Sequence, residues 1–229
     1  MEVIPNRSYR GSFWFALFAF GTLLALPLRA VEPFRIEIVD SENGWPVPLV
    51  KLRTTHEVEF VSDNAGVVAF DLPELMGKEV WLHVESHGYE VEKDGFGYRG
   101  VRVTPNPGEV KRIEVSRTII AKRLGRLTGA GLFAESQKTG RDLEWRESGL
   151  MGSDSVQNAV HRGKHFWAWG DTNLPHYPLG IFHMASATTA LKPLSSFEPP
   201  VKLSFDYFHD KEKARPRGVA KMPGEGRLG

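Results

Sequence analysis

The sequence predicts an all-β protein, and three observations predict it. Apolar residues alternate with charged ones at period two through the first half of the chain, which is the pattern of strands with one buried face. Turn formers separate these runs, and no helical period lies between them. A second stretch of strand-like runs begins near Gly149.

Arg7 and Arg10 precede an apolar run from Gly11 to Leu26, followed by Pro27, Leu28, Arg29 and Ala30. A positive flank, an apolar segment and a small residue after a helix breaker read as a secretory signal peptide over 1–30, cleaved after Ala30. The apolar run is long for a signal, so an uncleaved membrane anchor is the alternative. No other segment of the sequence is long and apolar enough to span a bilayer. The expected location is secreted, or periplasmic/extracellular, with membrane contact only through an uncleaved anchor. The chain has no cysteine, which excludes disulfides, a lipoprotein anchor and thiol catalysis. Stability must then come from core burial.

From Phe34 to Val115 the alternation is explicit. Phe34, Ile36 and Ile38 alternate with Arg35 and Glu37, Val50 and Leu52 with Lys51 and Arg53, and Val58 and Phe60 with Glu57 and Glu59. Val68 and Phe70 come next, then Val80, Leu82 and Val84, then Val101 and Val103, then Ile113 and Val115. The separators are Asp40-Ser-Glu-Asn-Gly44, Ser62-Asp-Asn-Ala-Gly66, Met76-Gly77 and Asn106-Pro-Gly108. About seven short strands at this spacing predict a two-sheet β-sandwich over 31–116. In the Ser62–Gly66 turn, Asp63 or Asn64 can bond the local backbone and Gly66 can take positive φ.

The order Ile38-Val-Asp40, Pro46-Val-Pro-Leu-Val50, Ser62-Asp-Asn-Ala-Gly66, Phe70-Asp-Leu-Pro73 and His87-Gly-Tyr89 resembles the carboxypeptidase regulatory-like, prealbumin-type domain. The resemblance covers about a third of the chain. It implies a seven-stranded Greek-key β-sandwich with an accessory or adhesive role, and no catalysis.

Between 117 and 148 the period weakens. Ala121-Lys-Arg-Leu-Gly-Arg-Leu127 has the makings of a helical turn, broken by Gly125 and by Thr128-Gly-Ala-Gly131. This reads as a connector that docks against the second half of the chain. Its basic residues Arg117, Lys122, Arg123 and Arg126, with Lys111 and Arg112 before them, read as a solvated linker. Net charge is +1, so no global charge draws the chain to nucleic acid.

From Gly149 four further strands are expected, over Ser155–Val160, Lys164–Gly170, Phe182–Thr188 and Val201–Phe208, with a tight turn at Arg162-Gly163. Gly152-Ser-Asp-Ser-Val156, Phe166-Trp-Ala-Trp-Gly-Asp-Thr-Asn173 and Tyr177-Pro-Leu-Gly180 resemble one blade of the secreted five-bladed β-propellers related to glycoside hydrolases. The resemblance implies an incomplete propeller blade over 149–210. A propeller closes with several blades, about four to eight. The expectation is therefore that the chain is a fragment of a larger protein, with a disordered tail at 211–229. A lone blade leaves open edges and an uncovered face.

Candidate site residues cluster in this second part. Asp154 and Asp171 each accompany one of two neighbouring strands, and in the hydrolase-like propellers carboxylates of this kind face a central funnel as acid, base or pKa modulator. Glycoside hydrolysis needs two carboxyls about 5 to 9.5 Å apart, and one blade is not expected to supply the whole set. The competing structural reading makes Asp154 a partner of backbone amides and Asp171 the head of an Asx turn. Trp167 and Trp169 share one strand face and, with Asn173, form the candidate sugar contacts. A same-face tryptophan pair on a strand is more often core between neighbouring blades.

Other motifs carry less. His161-Arg-Gly-Lys-His165 has zinc-like i, i+4 spacing, but Gly163 and strand-like flanks oppose a helix, and the glutamate of a His-Glu-x-x-His site is missing. His87-Gly-Tyr-Glu90 matches a peptidase spacing by chance. Asp40–Gly44 is a weak calcium candidate and a better hairpin loop. No phosphate-cradling loop or nucleophile elbow is present. No metal and no cofactor is expected. The expected partner is a polysaccharide or cell-surface glycan, with no nucleic acid. The reading is an exported, non-catalytic accessory or binding protein, a piece of a carbohydrate-binding or carbohydrate-degrading propeller protein. The alternative is a surface adhesion or scaffolding protein without hydrolase activity.

Overall fold

The structure, a computed structural model, describes residues 32–126, 134–143, 149–181, 183–201, 203–210 and 215–219. The expected signal segment at 1–30 lies outside the described residues, as do parts of the connector and most of the tail. No described helix is long and apolar enough to cross a membrane.

The period-two runs form strands where alternation places them. They are β1 (Phe34–Asp40), β2 (Lys51–Thr54), β3 (Glu59–Val61), β4 (Val67–Phe70), β5 (Val80–Glu85), β6 (Tyr89–Glu90), β7 (Gly100–Val103) and β8 (Val110–Arg117). Two four-stranded sheets result, in the orders β4-β1-β8-β6 and β3-β2-β5-β7. All neighbours are antiparallel except β1 and β8, which run parallel. Eight strands form where seven were expected; the added one, β6, is two residues long and too short to show alternation in the sequence.

The inward residues of the two sheets make one core. Ile36, Ile38, Phe70 and Val115 come from the first sheet and Leu52 and Leu82 from the second, each fully buried. A fully buried side chain of this size contributes about 1.5–3 kcal/mol, so this cluster dominates the stability of a chain without disulfides.

The turn at Ser62–Gly66 ties several segments together. Ser62 Oγ donates to Val47 O at 2.8 Å and accepts from Val50 N at 2.9 Å. Asp63 Oδ1 accepts from Ala65 N at 2.9 Å and Val67 N at 3.0 Å. Gly66 has φ +70, and a Cβ there would lie 2.4 Å from Ile38 O.

The connector lies against the sandwich as well as against the second part of the chain. Asn64 makes a paired bond to Arg126, donating Nδ2 to its carbonyl at 2.6 Å and accepting its amide at 2.7 Å. Arg123 donates to Pro48 O and His87 O, each at 2.6 Å. A one-turn helix, α1 (Glu135–Lys138), covers β4. There Ser136 donates N–H and hydroxyl to Asp63 Oδ2 at 2.7 and 2.5 Å, and Glu135 Oε2 accepts the Ala69 N–H at 3.0 Å. Glu135 thus closes part of an edge that would otherwise offer an unpaired donor. The solvated-linker reading does not hold for Arg123 and Arg126. Both guanidinium groups are half-buried, and desolvation lowers their pKa.

The second part is also all-β. Its strands are β9 (Gly152–Ser153), β10 (Val156–His161), β11 (Lys164–Trp169), β12 (Thr172–Leu174), β13 (Tyr177–Ile181), β14 (Met184–Ala190) and β15 (Asp206–Tyr207). The four expected strands pair in chain order as β10-β11-β14-β15, an antiparallel meander. A small sheet, β13-β12-β9, lies beside it in the chain. The fourth strand is shorter than expected, with Ala187 and Thr188 of β14 paired to Tyr207 and Asp206. Residues 215–219, expected within a disordered tail, are paired: Arg215 and Pro216 with Asp210 and His209, and Gly218 and Val219 with β14. Pairings of two residues leave no periodic trace in a sequence.

Candidate functional site

The hairpin that carries the candidate residues turns at Arg162-Gly163, where both residues have positive φ, 49° and 75°. That is the two-residue turn whose twist suits antiparallel strands. His161 and His165 lie at its two sides on opposite strands, and no group of three potential metal ligands occurs among the described residues. Val156 pairs with Trp169 and Ser153 with Thr172. The same register, carried through the break between these pairs, sets Asp154 opposite Asp171. Asp154 N–H donates to Asp171 O at 2.8 Å, and Gly170 N–H returns to Asp154 O at 3.0 Å.

Both acids are therefore brought together at the bend where the larger sheet gives way to the smaller one. Both are exposed. Asp154 Oδ1 accepts from its neighbour's amide, Ser155 N, at 2.6 Å, where Ser155 has φ +34. Its carboxylate holds a strained corner. At Asp171 the local hydrogen bonds belong to the next residue, as Thr172 Oγ1 donates to Gly170 O at 2.9 Å. Asn173 Oδ1 accepts from Leu179 N at 2.9 Å and fixes the β12–β13 turn.

The tryptophans point into packing. Trp167 and Trp169 stack with centroids 6.4 Å apart and an 8° interplanar angle. Phe205 meets both edge-on, at 5.7 and 5.3 Å, and Tyr207 lies 5.6 Å from Trp169. Trp169 is 3% exposed and belongs to the core cluster with Leu150, Leu174, Ile181 and Tyr207. The indole N–H of Trp167, which is half-buried, donates to Thr189 Oγ1 at 2.9 Å. Trp169 has no face free to stack on a sugar. The residues that cover the pair come from β15 and the segment before it, far along the chain, and nothing near Trp167 in sequence announces them.

The calcium candidate is closed by its own bonds. Asp40 is 2% exposed, its Oδ1 accepts from Glu42 N at 2.8 Å, and its Oδ2 lies 3.5 Å from Arg117 Nε.

A surface that sequence reasoning misses lies on the sandwich. An open groove of about 600 Å³ runs between β5 and the 93–99 hairpin, lined by His83, Glu85, Glu90, Lys93, Tyr98 and Arg99 among others. Its signal in the sequence is Asp94-Gly-Phe-Gly-Tyr98, a turn carrying two aromatic residues.

No protein-family model matches the chain, and no curated protein matches its sequence. Among solved structures, the Bacillus anthracis TIE protein is similar over 80% of this chain and 32% of its own length, at 12% identity and TM-score 0.26. The chain thus spans about a third of that structure's length.

Proposed function

We propose that this chain is an exported, non-catalytic binding protein for polysaccharide or cell-surface glycan, built from a prealbumin-type sandwich and a propeller-like blade. The observation that carries the non-catalytic reading is the inward packing of Trp169. Asp154 and Asp171 share a bend, but the ring surface needed to hold a sugar beside them is occupied by Phe205 and Tyr207. Strands pairing in chain order as β10-β11-β14-β15 support the blade. Asn173 and the two acids are exposed, but Asp154 Oδ1 and Asn173 Oδ1 already accept local backbone amides.

Depletion of the full chain from solution by insoluble cellulose, xylan, chitin and arabinan, with soluble reducing ends assayed in parallel, tests this reading. Depletion by at least one polymer without release of reducing ends is expected. Release of reducing ends contradicts the non-catalytic assignment, and no depletion by any polymer contradicts glycan binding.

One observation favours adhesion or scaffolding as a second reading. All six residues of β10 are exposed, including Val156 at 51% and Val160 at 63%, which leaves a strand edge open to pairing.

A further inference from the structure

The outer face of the β3-β2-β5-β7 sheet carries aromatic residues that neither the core nor the Asp154–Asp171 bend uses. Gly100 in β7 makes room for the first. A Cβ at that position would lie 2.4 Å from Trp81 Cζ2, so only glycine lets the indole lie across the strand. Arg102 places its guanidinium carbon 5.2 Å from the Trp81 ring centroid. His83 meets Trp81 edge-on at 5.9 Å and Tyr98 edge-on at 6.0 Å. A continuous row, Arg102–Trp81–His83–Tyr98, therefore leads to the groove.

The hairpin beyond it is preset. Asp94 Oδ1 accepts from Phe96 N and Tyr98 N, each at 2.9 Å, and Lys93 bridges to Arg99 across the turn. This built turn holds Phe96 at 90% exposure and Tyr98 at 59%. The backbone under both rings is fixed, and His83 packs edge-on against Tyr98, so a ligand that covers Tyr98 meets a reduced entropy cost.

The polar groups fix the class of ligand. Glu85 is bonded by Arg53 at 3.0 Å, and Glu90 by Arg99. Each carboxylate has a cationic partner, so the groove offers paired donors and acceptors rather than a field of one sign. Ring faces accept the C–H face of a pyranose, and carboxylate–guanidinium pairs suit vicinal hydroxyls, which donate to one and accept from the other. The lining is mostly polar, with Tyr98 as its exposed ring, which suits a hydroxyl-rich ligand better than an apolar one.

We propose that the groove between β5 and the 93–99 hairpin binds a neutral oligosaccharide, with Tyr98 as its stacking surface, Phe96 beside it in the turn, and the Glu90–Arg99 pair as the hydroxyl clamp. This rests on the glycan-binding reading and moves its centre from the blade to the sandwich.

Titration of the full chain with cello-, xylo-, manno- and arabino-hexaose, followed by tryptophan fluorescence and calorimetry, tests it alongside Tyr98→Ala and Phe96→Ala. Both rings are exposed, so thermal melts of the variants should match the unaltered chain. Binding of at least one neutral hexaose, weakened about tenfold or more by Tyr98→Ala, is the expected result; that factor corresponds to ~1.4 kcal/mol. Binding that both variants retain in full overturns the site and leaves the glycan reading standing. No saccharide binding by the unaltered chain overturns both. A preference for a galacturonate hexamer, or a response to extended peptides alone, overturns the neutral-sugar assignment.

Discussion

A carboxylate that is 1% exposed must have its hydrogen bonds met by the protein, and Asp63 accepts four of them. Two hold its own turn and two hold Ser136 of the connector. In Asp63→Asn one acceptor oxygen becomes an NH₂ group facing backbone donors. The unfolding free energy should then fall by about 2–4 kcal/mol, read from the urea midpoint, since lost bonds to a charged group and buried unpaired donors each cost in this range. Gly66→Ala should cost more than about 1 kcal/mol, because the new Cβ meets Ile38 O in a left-handed conformation. At the surface, Arg117 holds the Glu42 carboxyl below its ordinary pKa, chiefly through their hydrogen bond. A folded pKa below the unfolded one means that this contribution is present above the unfolded value and is lost as pH falls through the folded one. Melting temperature should therefore drop less steeply below about pH 4.5 in Glu42→Gln than in the unaltered chain. An equal slope would show that the pair adds nothing to acid stability.

Among the elements, the hairpin from Gly152 to Asn173 shows most clearly what local sequence carries. The turn at Arg162-Gly163 and the alternation on either side set its register, and the register alone brings Asp154 and Asp171 together. The fate of Trp167 and Trp169 is not legible there, because Phe205 and Tyr207 reach them from a distant segment. Trp169→Ala should destabilise the protein by about 3–5 kcal/mol, whereas a sugar-stacking ring would cost binding and little stability. A melt that Trp169→Ala leaves unchanged contradicts the packing. The sandwich strands are legible for the opposite reason. Each is long enough to alternate, except β6, whose two residues sit beside the Gly88 turn. The connector's attachment to the sandwich is not legible, since it depends on Asn64 and Asp63 reaching backbone that is remote in sequence.

At the scale of the whole molecule, two all-β parts are joined by a connector bonded to both. Asn64 and Asp63 hold it on the sandwich, and Arg126 donates onward to Met151 O. Asp154 holds a corner at the bend, and the exposed rings stand on the sandwich. Glycan binding by this chain should therefore proceed without Asp154 and Asp171. Affinity electrophoresis of the full chain and of the Asp154→Asn/Asp171→Asn double variant, through gels containing soluble xylan, arabinan or β-glucan, puts that to the sharpest test. Equal retardation of both proteins by at least one polymer is the predicted result. Free migration of the unaltered chain in every gel, or retardation that disappears with the two acids, would contradict it.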